Sequence, residues 1–221
     1  GNLRSRLVHE LRTPIMVVRS SLDNLAAETD ETYRGAYLDR VHGGAQRLER
    51  IVASMGEASS LESMLADSEL EPVDLVALVS GCADGYRSAF DRDIEFECDV
   101  ARARCAVVPE AIAQALDKLV SNAIDFATPG TPIRITLRRE GGREAVWCIA
   151  VANEGSALPA TMRDSLFDSM VSVRAGRAQG ATHLGLGLYL VRLVAEFHGG
   201  VAFARDVDHG VEVGFTIRSV R

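Results

Sequence analysis

The chain has 221 residues, enough for a small domain plus a mid-sized one. Hydrophobic residues make up 47% and charged residues 25%, which suits folded domains and excludes a disordered chain. The formal net charge of -7 excludes nucleic acid as an expected partner, because neutralising phosphates needs a basic face. Among 24 lysines and arginines only Lys118 is a lysine, so any amine chemistry has one address. Cys82, Cys98, Cys105 and Cys148 form no C-x-x-C pair and read as reduced structural thiols. There is no apolar run of about 18 residues and no basic-then-apolar leader. The chain is therefore expected to be soluble as given, trimmed from something longer, with any membrane attachment lying upstream.

From Leu3 to about Ala27 the apolar residues Leu7, Leu11, Ile15, Val18, Leu22 and Leu25 recur at threes and fours, which predicts an amphipathic helix. Pro14 removes one backbone donor and predicts a kink after the turn that carries His9. Residues 28–32 are polar and predict a turn. A second helix is expected from about Tyr33 to Met64, with Tyr37, Val41, Leu48, Ile51, Val52 and Met55 as its stripe. Gly43-Gly44 is either a soft point or a close-packing spot. A two-helix hairpin cannot bury both stripes alone, so pairing with a second copy into a four-helix bundle, a homodimer, is expected.

The rhythm lapses after Ala66, predicting a hairpin domain over 1–66, a linker over 67–73 and a second domain over 74–221. In that second part helix (75–90), strand (94–100), strand (104–108), helix (109–127), strand (133–139) and strand (145–151) follow one another. Two closing strands are expected near 200–205 and 211–219. The expected fold is a two-domain α+β protein, its second half an α/β sandwich with helices on one face of a mixed sheet.

Four clusters carry chemistry. In His9-Glu10-Leu11-Arg12-Thr13-Pro14 a carboxylate follows an imidazole that it can orient or deprotonate, and Thr13 shares the face of His9 one turn on. Alone, such a His-Glu pair is an ordinary solvated surface, and a zinc-protease motif would need histidine in place of Thr13. Lys118, Asn122 and Asp125 stand at i, i+4 and i+7, one helix face opposite Leu116, Leu119 and Ala123. An asparagine carbonyl is a hard ligand suited to Mg2+. Asn153-Glu154-Gly155-Ser156 is, alone, a loop after a strand. His183-Leu184-Gly185-Leu186-Gly187-Leu188 opens a helix expected from Tyr189 to His198, where glycines let backbone N–H groups reach phosphate oxygens.

Together these strings resemble the sensor histidine kinases of two-component systems. The six residues from His9 match that family's phosphoacceptor box throughout, and the face of Lys118, Asn122 and Asp125 resembles its N box. The strings around Asn153 and Gly185 resemble its two glycine boxes, and Leu166-Phe167-Asp168 its phenylalanine box. The resemblance implies a hairpin carrying the phosphoacceptor, then an ATP-binding sandwich of the type shared with gyrase and Hsp90. It implies ATP and Mg2+ as cofactors and a response regulator receiver domain as partner. The chain would be the cytoplasmic portion of a bacterial sensor anchored in the inner membrane through an upstream region.

By the same resemblance His9 takes the γ-phosphoryl group, Glu10 is its acid/base partner, and Thr13 positions water in dephosphorylating the regulator. Asn122 is the metal ligand. Lys118, Asp125, Asn153, Gly155, Arg174, His183, Gly185, Gly187 and Leu188 would line the nucleotide site, with residues 172–182 as a lid over it. The chain departs from the family pattern at four of these. Lys118 and Asp125 replace the outer N-box residues, Asn153 replaces the aspartate that accepts from the adenine amino group, and His183 stands where glycine is usual. Lys118 then reaches a phosphate from another side, or the site is weakened. The alternative function is a catalytically weakened nucleotide-binding dimer acting mainly as a phosphatase or scaffold.

Overall fold

The protein is described from a computed structural model, which covers residues 3–141, 146–158, 166–167 and 186–218. Helices α1 (Leu3–Ala27) and α2 (Glu31–Asp67) form an antiparallel hairpin, and α1 is continuous through the buried Pro14. Two side chains build the turn. The Asp30 carboxylate accepts from the Thr32 N–H at 2.8 Å and caps α2. Arg34 Nη1 donates to the carbonyls of Leu25 (3.0 Å) and Glu28 (2.8 Å), satisfying acceptors that the end of α1 leaves open.

The single stripe expected on α1 resolves into two seams with a seven-residue repeat. Leu11, Val18 and Leu25 are half-buried, whereas Val8, Ile15 and Leu22 stay exposed. On α2, Ile51 is buried but Val52 is exposed, because adjacent residues lie about 100° apart round a helix and cannot face one neighbour. The glycine pair also divides. A Cβ on Gly44 would stand 2.5 Å from Val18 Cγ2, so Gly44 is where the helices approach closely, while Gly43 is open.

After α2 the chain forms β1 (Glu71–Asp74), a strand that overlaps the end of the segment read as a linker; its partner is β3, below. Helix α3 (Leu75–Ala89) is capped by Asp74, whose carboxylate accepts from Val76 (3.1 Å) and Ala103 (3.0 Å) and is held below its ordinary value, first by the Ala103 N–H. Then come β2 (Ile94–Cys98), β3 (Arg104–Val107), α4 (Pro109–Phe126), β4 (Ile133–Glu140), β5 (Val146–Glu154), α5 (Leu186–Phe197), β6 (Ala202–Val207) and β7 (Gly210–Arg218). Strands β1 and β3 pair antiparallel as a separate ribbon. The main sheet runs β2-β4-β5-β7-β6, with β2 and β4 parallel and the other pairs antiparallel.

The inward faces of β4, β5 and β7 bring Ile133, Ile135, Leu137, Ile149, Val151, Val213 and Phe215 into the core, where they meet α3, α4 and α5. Each such side chain contributes about 1.5–3 kcal/mol of hydrophobic burial. The same core receives Ala58, Leu61 and Leu65 from α2, so the hairpin is packed onto the sandwich. On the opposite sheet face the buried Glu212 accepts from Arg138 (3.0 Å) and Arg205 (2.7 Å). All four cysteines are free, and burial pushes the Cys148 thiol up to about 11, leaving it protonated and unreactive at neutral pH.

His198, just past the end of α5, clamps that helix to α4. Its Nε2 accepts from the Val108 N–H at 3.0 Å, which places the ring proton on Nδ1, 2.7 Å from the Val194 carbonyl. Burial pushes this ring below the ordinary imidazole value of 6.5, and the bond to Val194 opposes that more weakly. The folded state thus keeps the ring neutral where the unfolded chain takes up a proton. Its stabilisation is full above 6.5 and is lost as pH falls through and below that value. Denaturant midpoints measured from about pH 7.5 to about pH 5.5 will fall for the wild type. His198→Gln will start lower and fall less steeply; equal slopes would rule out this residue as the source.

Candidate functional site

Helix α4 is two-sided. Ala111, Ile112, Ala115, Leu116, Leu119, Val120 and Ala123 are buried against the sheet and α5, which turns Lys118, Asn122 and Asp125 together to the opposite, half-buried face. Val108 precedes the helix without a side-chain cap, and Pro109 at its first position has no N–H needing one.

The end of β5 is fastened to the end of α4. The Thr128 N–H donates to the Glu154 carbonyl at 2.8 Å, and a Cβ on Gly155 would stand 2.7 Å from the Phe126 carbonyl oxygen. From the other side the turn between β6 and β7 closes in. The Gly155 N–H donates to the His209 carbonyl at 3.0 Å, and a Cβ on Gly210 would lie 2.0 Å from the Asn153 carbonyl oxygen. His209 occupies the left-handed region, with φ 64. Asn153 is buried, and its Nδ2 donates to the Glu154 carbonyl at 3.2 Å. That bond sets the amide, because the reverse orientation would put two oxygens together; Oδ1 remains as the acceptor.

The third piece is the start of α5. It is described from Leu186, earlier than the expected Tyr189, so Gly187 is already helical, and Leu188 is buried. The Cβ position of Gly187 is 3.5 to 3.8 Å from the Lys118 stem. Gly187 and Lys118, 69 positions apart in sequence, are thus neighbours. Nucleotide-site residues expected from three separate strings border α4: Asn153 and Gly155 at its end, Asn122 and Asp125 on its face, and Gly187 against Lys118. Leu166 and Phe167 are half-buried against the core. Arg174, His183, Gly185 and the expected lid over 172–182 lie outside the described residues.

On the hairpin, the backbone of His9 is helical within α1, and its side chain lies outside the described part. Glu10 is buried and Thr13 exposed, so the carboxylate beside His9 is not a solvated surface group. Among the described residues the sandwich meets the hairpin through α2: Lys118 Nζ donates to Glu57 Oε2 at 2.7 Å, and the Tyr189 hydroxyl to Glu62 Oε1 at 3.5 Å. Lys118, expected at a phosphate, thus has a carboxylate on another domain as its partner. Next to it, the Tyr86 hydroxyl donates to Asp117, and burial followed by that carboxylate pushes the tyrosine well up. Sequence reasoning missed Glu57, Glu62 and Tyr86, which stand in no motif and are brought to α4 and α5 only by tertiary packing.

Two family models match the chain. Residues 107–221 match the histidine kinase-, DNA gyrase B- and HSP90-like ATPase family, and residues 2–63 match the His Kinase A phospho-acceptor domain. The chain is 28% identical over 209 residues to the sensor protein ChvG of Agrobacterium fabrum, covering 90% of this chain and 35% of ChvG. It is 25% identical over 214 residues to the sensor histidine kinase WalK of Bacillus subtilis, covering 95% of this chain and 35% of WalK. The chain thus spans about a third of the length of these relatives. In fold it is similar to histidine kinase ThkA, solved in complex with the response regulator TrrA, with a TM-score of 0.63 at 22% identity over 100% of this chain and 62% of that one.

The close approaches at the end of β5 are directly testable. Gly155→Ala and Gly210→Ala will each lower stability by about 1–3 kcal/mol, read as a reduced urea midpoint. Gly81→Ala, on the open face of α3 with nothing near its Cβ position, will raise it by about 0.5–1 kcal/mol. An unchanged midpoint for Gly210→Ala would contradict the contact with Asn153.

Proposed function

Because the chain belongs to the histidine kinase family, with a phospho-acceptor domain followed by a histidine kinase-, gyrase B- and HSP90-like ATPase domain, we propose that it phosphorylates its own His9 from Mg-ATP and passes the group to an aspartate of a response regulator. Residues 1–66 act as the phosphotransfer hairpin, 67–73 as the connection and 74–221 as the ATP-binding unit. The observation that carries the proposal is the polar face of α4. Lys118, Asn122 and Asp125 share it, Gly187 lies against Lys118, and the end of β5 is clamped at its C-terminal end.

The donor set suits Mg2+, which keeps several waters and the nucleotide phosphates and needs only one or two protein oxygens. Asn122 would hold it, and the bound ion would neutralise charge on the phosphates. Asn153 Oδ1 accepts from the adenine amino group. The N–H groups in the first described turn of α5, among them those of Gly187 and Leu188, would hold the phosphates, since such groups favour anions; by the family resemblance Gly185, His183 and Arg174 would serve the same site.

In the transfer a lone pair of the His9 imidazole attacks the γ-phosphorus, the P–O bond to the β-phosphate breaks, and ADP leaves. The ring then carries a proton too many, and Glu10, next in the chain, takes it. Catalysis rests on positioning and on charge neutralisation at the phosphates. Thr13, exposed one turn from His9, orients water when the regulator is dephosphorylated.

The exposed seam of Val8, Ile15 and Leu22 on α1, with Val52 on α2, supports a homodimer in which a second hairpin covers it. No helix among the described residues is long and apolar enough to cross a membrane. Attachment of the sensor to the inner membrane would fall to a region outside this chain, leaving this part in the cytoplasm, where ATP is. One observation favours a second function, a weakened nucleotide-binding dimer acting mainly as phosphatase or scaffold: the ammonium of Lys118 is on Glu57 rather than free for phosphate.

Incubation with γ-labelled Mg-ATP separates the two. The kinase predicts a protein label that is lost in acid, survives base and is absent from His9→Ala. Asn122→Ala will reduce the rate of labelling roughly 100-fold. Nucleotide binding without label in the wild type would establish the weakened dimer instead.

A further inference from the structure

We propose that Lys118 is an exchange residue, bound to Glu57 when the nucleotide site is empty and to a nucleotide phosphate when it is filled, so that nucleotide binding loosens the sandwich from α2. This rests on the ATP site described under Proposed function and adds a linkage between that site and domain docking.

The lysine is placed for both partners. Its stem lies along Gly187, in the first described turn of α5, next to the segment expected to hold phosphate, while its ammonium reaches out of the domain to Glu57 at 2.7 Å. The two side chains are 34% and 53% exposed, so the pair is solvated and weak enough to exchange. A cleft of about 970 Å³, lined by Glu57, Ser60, Tyr86 and Lys118 among others, opens beside the pair, so this side of the docking surface is not sealed. A second polar tie among the described residues, Tyr189 to Glu62 at 3.5 Å, is long. Lysine is also the right residue for a change of partner: its flexible stem and compact charge carry no fixed geometry, unlike the planar fork of arginine.

Glu57 and the phosphate compete for one cation, so each weakens the other's hold by the same factor. Removing Glu57 must therefore tighten nucleotide binding, and the gain must vanish without Lys118. The test is a double-mutant cycle by titration calorimetry on the whole chain, with Mg2+ and a non-hydrolysable ATP analogue as probe. Glu57→Gln is expected to bind about threefold more tightly than wild type, the scale of a half-exposed ion pair. Lys118→Ala is expected to bind more weakly, and adding Glu57→Gln to it should change nothing further.

A gain from Glu57→Gln that persists in the Lys118→Ala background would show a simple loss of negative charge and overturn the exchange. No gain in either background would overturn it too. Glu57 is exposed and glutamine keeps its shape, so folding is not at stake. Labelling of His9 in the wild type separates the outcomes: a labelled wild type with a failed cycle removes the exchange alone, whereas an unlabelled one removes the kinase.

Discussion

The burial of one face of α4 is the constraint on which the site depends. Seven of its side chains are held against β5 and α5 by apolar packing, and that packing sets the rotation of the helix about its axis. With the rotation fixed, Lys118, Asn122 and Asp125 have no freedom to point elsewhere. His198 fixes the position of the helix as well, joining its start to the end of α5 through a neutral ring held between Val108 and Val194. A site assembled from strings far apart in sequence becomes one surface because each is fastened to this helix: the end of β5 through Thr128 and Gly155, the start of α5 through Gly187.

The hairpin and the sandwich are less independent than a linker between them suggests. Ala58, Leu61 and Leu65 of α2 belong to the same apolar core as α4 and α5. Separating the two units exposes these side chains, a cost of several kcal/mol on the scale of apolar burial. Polar ties such as Lys118 to Glu57 decide little of that energy, but they decide where the units sit and what can shift them. The docking surface starts at Glu57, about 20 Å along α2 from Gly44, whose Cβ position opposes Pro14 and Val18 of α1.

The sequence was legible where the signal was local. Helical periodicity and turn chemistry located both hairpin helices, α3 and α4, and alternation located the strands of the main sheet. Strand β1 was not legible: Glu71-Pro72-Val73-Asp74 is four residues long, contains proline and is strand only because β3 pairs with it from thirty residues away. The start of α5 was read too late because Gly187 lowers helix propensity, which the burial of Leu188 and Leu190 overrides. The apolar stripe of α1 was visible, but its division into a seam against α2 and an exposed seam follows only from the partner helix. Within the site, the motif residues could be found; the partner of Lys118 could not, since Glu57 carries no pattern that marks it.

Hydrogen–deuterium exchange with and without Mg2+ and a non-hydrolysable ATP analogue tests most directly whether α4 organises a nucleotide site. Slower exchange is predicted in the C-terminal half of α4, at Asn153 to Gly155 and in the first turns of α5, with the outer strands β2 and β6 unchanged. Protection confined to the outer sheet face around Arg138 and Arg205, or no protection despite binding, would contradict the account.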